Sequence, residues 1–172
     1  MGGLDLFGCL WLFFVYSFFG WIAETCFCVL KYRKFMNRGM LNSPLCIVYG
    51  IAAVIITIGF PELFDEIPIL FLGCAGVSTL LEWFTAKILE KLDHKKWWDY
   101  SSKRWNLDGY ICLQYSIVWG ILGVLSVKFV TPVLMKLYHM VPSFMMQIAL
   151  WALLGVLIVD ILGSTYIIRG SV

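Results

Sequence analysis

Charge is what this chain has least of. Charged residues fill 14% of its 172 positions, and 61% are hydrophobic; a soluble domain carries about 25% charge. That excludes an ordinary soluble domain. Histidine is nearly absent, with His94 and His139 alone, and no Cys/His spacing resembles a zinc site. No Gly-x-x-x-x-Gly-Lys-Ser/Thr loop occurs, so the chain itself has no means of P-loop ATP hydrolysis. A His-Glu-x-x-His helix, a nucleophile elbow and an Asp-rich metal motif are missing too. The sequence therefore gives no expectation of a metal, a cofactor or an enzymatic centre. No Gly/Ser-rich or Pro-rich linker interrupts it, and a single transmembrane domain over residues 1–172 is expected. Basic residues do not precede the first apolar run, which is expected to be a retained helix rather than a signal peptide. The six cysteines lie in or beside apolar runs and read as small packing residues.

What is present is length of hydrocarbon. Apolar runs fall at Leu6–Leu30, Leu45–Phe60, Ile67–Leu89, Tyr110–Val130 and Phe144–Ile168. Runs near 20 residues span a bilayer as helices. The expected fold is an all-α membrane protein of five transmembrane helices, the second the shortest, with connections at Lys31–Pro44, Pro61–Glu66, Glu90–Gly109 and Thr131–Ser143. Lys31, Arg33, Lys34 and Arg38 make the first connection basic, and Lys91, Lys95, Lys96, Lys103 and Arg104 the third. The positive-inside rule puts both in the cytoplasm, the N-terminus outside and the C-terminus inside. The third connection interleaves its cations with Trp97, Trp98, Asp99, Tyr100 and Trp105. It reads as an interfacial anchor at headgroup depth or as a docking loop for a cytoplasmic partner. Short basic loops flanked by membrane disfavour nucleic acid as a partner.

Against this background three acids stand inside apolar runs: Glu24, Glu82 and Asp160. An ionised carboxylate in hydrocarbon costs at least about 2.5 kcal/mol unless it has partners, water or a pathway to serve. Glu24 precedes Lys31 by seven residues, Glu82 precedes Lys91 by nine, and Asp160 precedes Arg169 by nine. At 1.5 Å per residue each lies roughly 10–14 Å from a basic cytoplasmic end. Tyr49, Gln114 and Tyr115 reach similar depth from the return helices. Glu24 shares a helix face with Ser17, Gly20 and Cys28, and Glu82 with Ala75, Thr79 and Ala86. Cys112, Ser116, Gly120 and Gly123 form a small-residue stripe that permits close helix approach. Asp160 has the weakest claim, since its face carries Val156, Gly163 and Ile167. Trp11, Trp119 and Trp151 read as core or belt residues, and Lys87 and Glu90 as end-of-helix charges. An acid, a basic loop, an Asn/Gly turn and Cys-x-x-Tyr-small recur from Glu24 through Asn37 and Arg38 to Gly50, and from Glu82 through Asn106 to Ser116. A tandem two-helix repeat related by an axis along the membrane normal is one explanation of that order, and transporters place sites between such repeats.

The segments Phe19-Gly20-Trp21-Ile22-Ala23-Glu24, Asn37-Arg38-Gly39-Met40-Leu41-Asn42-Ser43-Pro44-Leu45-Cys46-Ile47-Val48-Tyr49-Gly50, Leu81-Glu82, and Trp98-Asp99-Tyr100-Ser101 with Asn106 to Leu113, Ser116 and Trp119-Gly120 resemble the CmpB family. That group is labelled ABC-transporter type IV. Ser43 and Ile47 depart from its usual Gly and second Pro. The resemblance implies a bacterial, multi-pass cell-membrane protein of the permease kind. The function expected from the residues is a transporter component with an acidic intramembrane site open to the cytoplasm. The site residues expected are Glu24, Glu82, Arg38, Asn37, Tyr49, Gln114, Tyr115, Asn106 and Asp160. Five spans are few for a complete device, so a homo-oligomer or a separate membrane or ATPase subunit is expected beside the lipid bilayer. The alternatives are a non-catalytic scaffold or regulatory subunit docking through Trp97–Trp105, and an intramembrane enzyme acting on lipid with Arg38, Lys103 and Arg104 on a phosphate.

Overall fold

The computed structural model describes residues 4–33, 41–63 and 65–170. Its helices are α1 (Leu6–Tyr32), α2 (Ile47–Gly59), α3 (Ile67–Asp93), α4 (Leu113–Leu125), α5 (Thr131–Met140) and α6 (Ser143–Gly170). A hairpin of two-residue strands, β1 (Asn106–Leu107) and β2 (Ile111–Cys112), precedes α4. Among the described residues four helical stretches are long and apolar enough to cross a membrane: Leu6–Leu30, Ile67–Asp93, Leu113–Met140 and Ser143–Tyr166. Their outward faces are apolar, with Leu30, Leu72, Leu80, Phe129, Val159 and Leu162 each more than half exposed. The protein is thus all-α in substance, and it carries the exterior of a membrane protein. The second apolar run is a helix of 13 residues, about 20 Å, short of the roughly 30 Å of a hydrocarbon core.

The ends of the helices follow local chemistry. Asp5 caps α1, its Oδ1 accepting from the Gly8 N–H at 2.8 Å. Arg33 closes α1 and His94 closes α3, both in the left-handed region, each returning its N–H to the carbonyl four residues back. Pro68 sits in the first turn of α3, where no N–H is needed.

One expected connection is overturned. Thr131–Met140 is helical, and α4 runs into it through a π turn at Ser126–Val130, so the loop shrinks to Val141-Pro142. Lys136 and His139 lower the hydropathy there, but Leu134, Met135 and Tyr138 keep a helical spacing, with Leu134 buried. Pro132 lacks the N–H that an α-helix would pair with Lys128. The wide turn ahead of it takes up the mismatch, with the Thr131 N–H returning to Ser126.

The chain divides into two compact units: Met1–Val54 with Leu134–Ser171, and Ile55–Val133. The first has a core of Phe14, Leu41, Met146, Leu150 and Leu157. The second is built on Ile56, Leu70, Cys74 and Val127.

Candidate functional site

Each unit holds one of the two glutamates, and each glutamate meets an aromatic donor from another element. In the first unit the Tyr49 hydroxyl donates to Glu24 Oε1 at 2.9 Å. That contact needs α1 and α2 to lie almost backbone to backbone, and small residues allow it. A Cβ on Gly20 would stand 2.4 Å from the Tyr49 ring, and one on Gly50 would stand 2.4 Å from the Phe13 carbonyl oxygen and 2.3 Å from Ser17 Oγ. The expected face of Ser17, Gly20 and Glu24 is therefore the face turned to α2. Along α1 the buried hydroxyls of Ser17 and Thr25 have no hydrogen-bond partner among the described residues.

In the second unit Glu82 accepts from two aromatic side chains. Tyr100, from the loop after α3, donates to Oε1 at 3.1 Å, and the Trp119 indole donates to Oε2 at 3.0 Å. Tyr115 stacks on Tyr100 with ring centres 4.7 Å apart. The small-residue stripe of α4 lies on α3. The Thr79 hydroxyl donates to Ser116 at 2.8 Å, and Gly120 and Gly123 leave space filled by Phe71 and Cys74.

The two helix pairs are alike in plan. Cys46 and Cys112 immediately precede α2 and α4, and Tyr49 and Tyr115 lie in the first turn of each. They differ in detail, since Tyr49 reaches its glutamate and Tyr115 supports the tyrosine that does.

The remaining expected site residues are placed as follows. Asp160 lies in the first unit, and its carboxylate is taken up by Asn42, Ser43 and Ser164. Asn106 is exposed and serves the hairpin, its amide donating to the Lys103 carbonyl at 2.7 Å and its Oδ1 accepting from Gly109. Gln114 is exposed on the first turn of α4. Asn37 and Arg38 lie outside the described residues. Two clefts stand out among the described residues. One of about 610 Å³ is lined by Asp5, Tyr138, His139 and Ser143, and the other is an apolar groove between Ile67 and Leu125. Neither is lined by Glu24 or Glu82. Among the described residues no group of three His, Cys, Asp or Glu side chains is placed to hold a metal.

The aromatic third connection is a folded element. The Trp98 indole donates to the Tyr110 carbonyl at 2.9 Å, and the Trp97 indole donates to Asp93 at 3.0 Å. Asp108 and Gly109 both have positive φ and close the turn, with Tyr110 N–H on the Leu107 carbonyl at 3.0 Å. A Cβ on Gly109 would meet Asp99 and Ser101 at 2.5 Å. Asp99 accepts both the hydroxyl and the N–H of Ser101, at 2.6 and 2.9 Å. These bonds, the hydroxyl's first, hold its carboxyl below the ordinary aspartate range, with Lys96 helping. Trp105 is left facing outward with Arg104 over its ring.

Sequence reasoning missed four participants. Trp119, read as a belt residue, donates to Glu82; its place one turn from Ser116 on the small-residue stripe was the available signal. Tyr100, read as part of an interfacial loop, reaches back into α3. Asn42 and Ser43 hold Asp160 across more than a hundred residues of sequence, and no local pattern announces that.

The family model described as "Putative ABC-transporter type IV", CmpB, matches residues 11–165. That is most of the chain, and the chain belongs to this family. Neither the curated proteins nor the solved structures compared with it include a match.

Proposed function

We propose that this CmpB-family protein is the membrane-embedded component of a transporter, with Glu24 and Glu82 as binding groups for a cation, a proton or an amine arriving from the cytoplasm. The observation that carries the reading is the orientation of the two acids. Each accepts from an aromatic side chain of a neighbouring element, Tyr49 for Glu24, and Tyr100 and Trp119 for Glu82. A carboxylate so engaged is aimed into protein. Ionisable groups inside membrane helices mark substrate and ion pathways when they face the interior. The hydroxyls of Ser17 and Thr25 on the Glu24 helix, unpartnered among the described residues, suit a site that takes up water or a polar ligand.

The reading includes five crossings in a single membrane domain, with the N-terminus outside, the C-terminus inside and the two helix pairs descended from one repeat. In this reading Tyr115 supports the Glu82 site through Tyr100, and Asn37 and Arg38 of the basic first connection are ligand-binding residues. Five crossings are few for a complete device, so a second copy of the chain or a partner membrane subunit would complete it, and an ATP-driven cycle would need a separate ATPase, since this sequence has no phosphate loop. The Trp105 hairpin, with Lys103 and Arg104, is the surface that meets headgroups or that partner.

The test is Glu24→Gln and Glu82→Gln, in cells that depend on the protein for uptake or export. Each substitution keeps size and removes charge. Transport should be abolished in both at unchanged expression. Full activity in both would overturn the reading in favour of a scaffold that acts through the Trp105 hairpin.

A further inference from the structure

The segment between α1 and α2 has an unusual set of backbone partners. The Asn42 N–H donates to Asp160 Oδ1 at 3.2 Å, and the Ser43 N–H to Asp160 Oδ2 at 2.8 Å. Residue 44 is proline and has no N–H. The Leu45 N–H turns back to the Ser43 carbonyl at 2.8 Å, and the Cys46 N–H donates to the Ser17 carbonyl at 2.9 Å. Every backbone donor from 42 to 46 is thereby met without a helix. The Asn42 amide adds bonds to Asp160 at 3.2 Å and to Ser164 at 3.0 Å. Leu41 is buried among Phe14, Met146, Leu150 and Leu157.

The depth of those partners gives the arrangement its meaning. Asp160 stands six residues, about 9 Å, inside the apolar stretch Ser143–Tyr166. Ser17 stands thirteen residues, about 20 Å, from the Leu30 end of its stretch, near the middle of α1. Non-helical backbone is tolerated at such depth where protein satisfies its polar groups.

We infer that Leu41–Cys46 enters the bilayer as the non-helical half of a crossing, that Asp160 is the positioning residue that clamps it, and that α2 is a half-helix beginning near mid-membrane. This accounts for the shortness of α2. Six extended residues reach up to about 20 Å, and the 13 residues of α2 add about 20 Å. Together they cross a hydrocarbon core that neither crosses alone. It also gives Asp160 a task different from that of Glu24. The clamp sets where α2 starts, and so holds Tyr49, in its first turn, against the Glu24 carboxylate. The inference concerns the placement of the chain and does not depend on what the protein carries.

Hydrogen exchange with residue-level fragmentation, on the full chain in lipid nanodiscs, tests it. In the unmodified protein the amides of Asn42, Ser43, Leu45 and Cys46 should be protected. Asp160→Ala should speed exchange at Asn42 and Ser43 by tenfold or more and raise it at Ile47–Tyr49, while amides of α3 and α4 keep their rates. Asp160→Asn, which keeps one acceptor oxygen and the side-chain volume, should give a smaller rise at the same amides and covers the case in which the alanine variant does not fold. Open-chain exchange at 42–46 in the unmodified protein, or equal protection there in Asp160→Asn and the unmodified protein, would overturn the inference.

Discussion

At the scale of single residues, glycine does more to build this protein than any polar group. Gly20, Gly50, Gly120 and Gly123 stand where another helix occupies the space a side chain would need. In a bilayer no hydrophobic force drives helices together, so close packing and a few hydrogen bonds carry association. Gly20 is the sharpest case. A Cβ there falls 2.4 Å from the Tyr49 ring, and the ring leads to the hydroxyl that holds Glu24. Gly20→Ala should destabilise the protein by about 1–3 kcal/mol, the usual range for overpacking. Unfolding in mixed detergent micelles measures it. Gly155→Ala is the control, since open space surrounds that position, and it should be neutral or slightly stabilising through helix propensity.

At the scale of elements, the loop between α3 and α4 and the segment before α2 are irregular but ordered. The loop rests on Asp99, whose carboxyl is held low by Ser101. A lowered folded value means that ionised Asp99 stabilises the loop above the unfolded aspartate pKa of about 3.9. That contribution is lost as pH falls through the lowered value. Tryptophan fluorescence of the loop should therefore stay constant from neutral pH down to about pH 4 and change below it. Ser101→Ala should move the midpoint upward. An unchanged midpoint in that variant would show that Asp99 does not govern the loop.

These elements also mark where the sequence was legible and where it was not. Hydropathy located α1, α3 and α6 closely, because a helix that buries its own backbone needs nothing but apolar length. Small-residue spacing found the faces of α1 and α3 that carry Glu24 and Glu82 and the face of α4 that packs on α3, because such faces let helices approach. The extension of α4 through Ser126–Val130 into α5 was hidden, since Lys136 and His139 read as part of a connection over Thr131–Ser143. The partners of Asp160 were hidden for a different reason. They come from a segment with no period, and periodicity is what a sequence displays.

For the whole molecule, the central claim is that Glu24 and Glu82 are reached from the cytoplasm through the protein. Sealed membrane vesicles of each orientation, treated with a water-soluble carbodiimide and an amine nucleophile and mapped by mass spectrometry, examine it most directly. The account predicts modification of Glu24 and Glu82 from the cytoplasmic face, slowed by the transported cation or amine. Glu62 and Asp65, on the acidic connection, should react from the opposite face and serve as the control for sidedness. Labelling of Glu62 and Asp65 alone, with both intramembrane glutamates untouched from either side until detergent opens the protein, would contradict it.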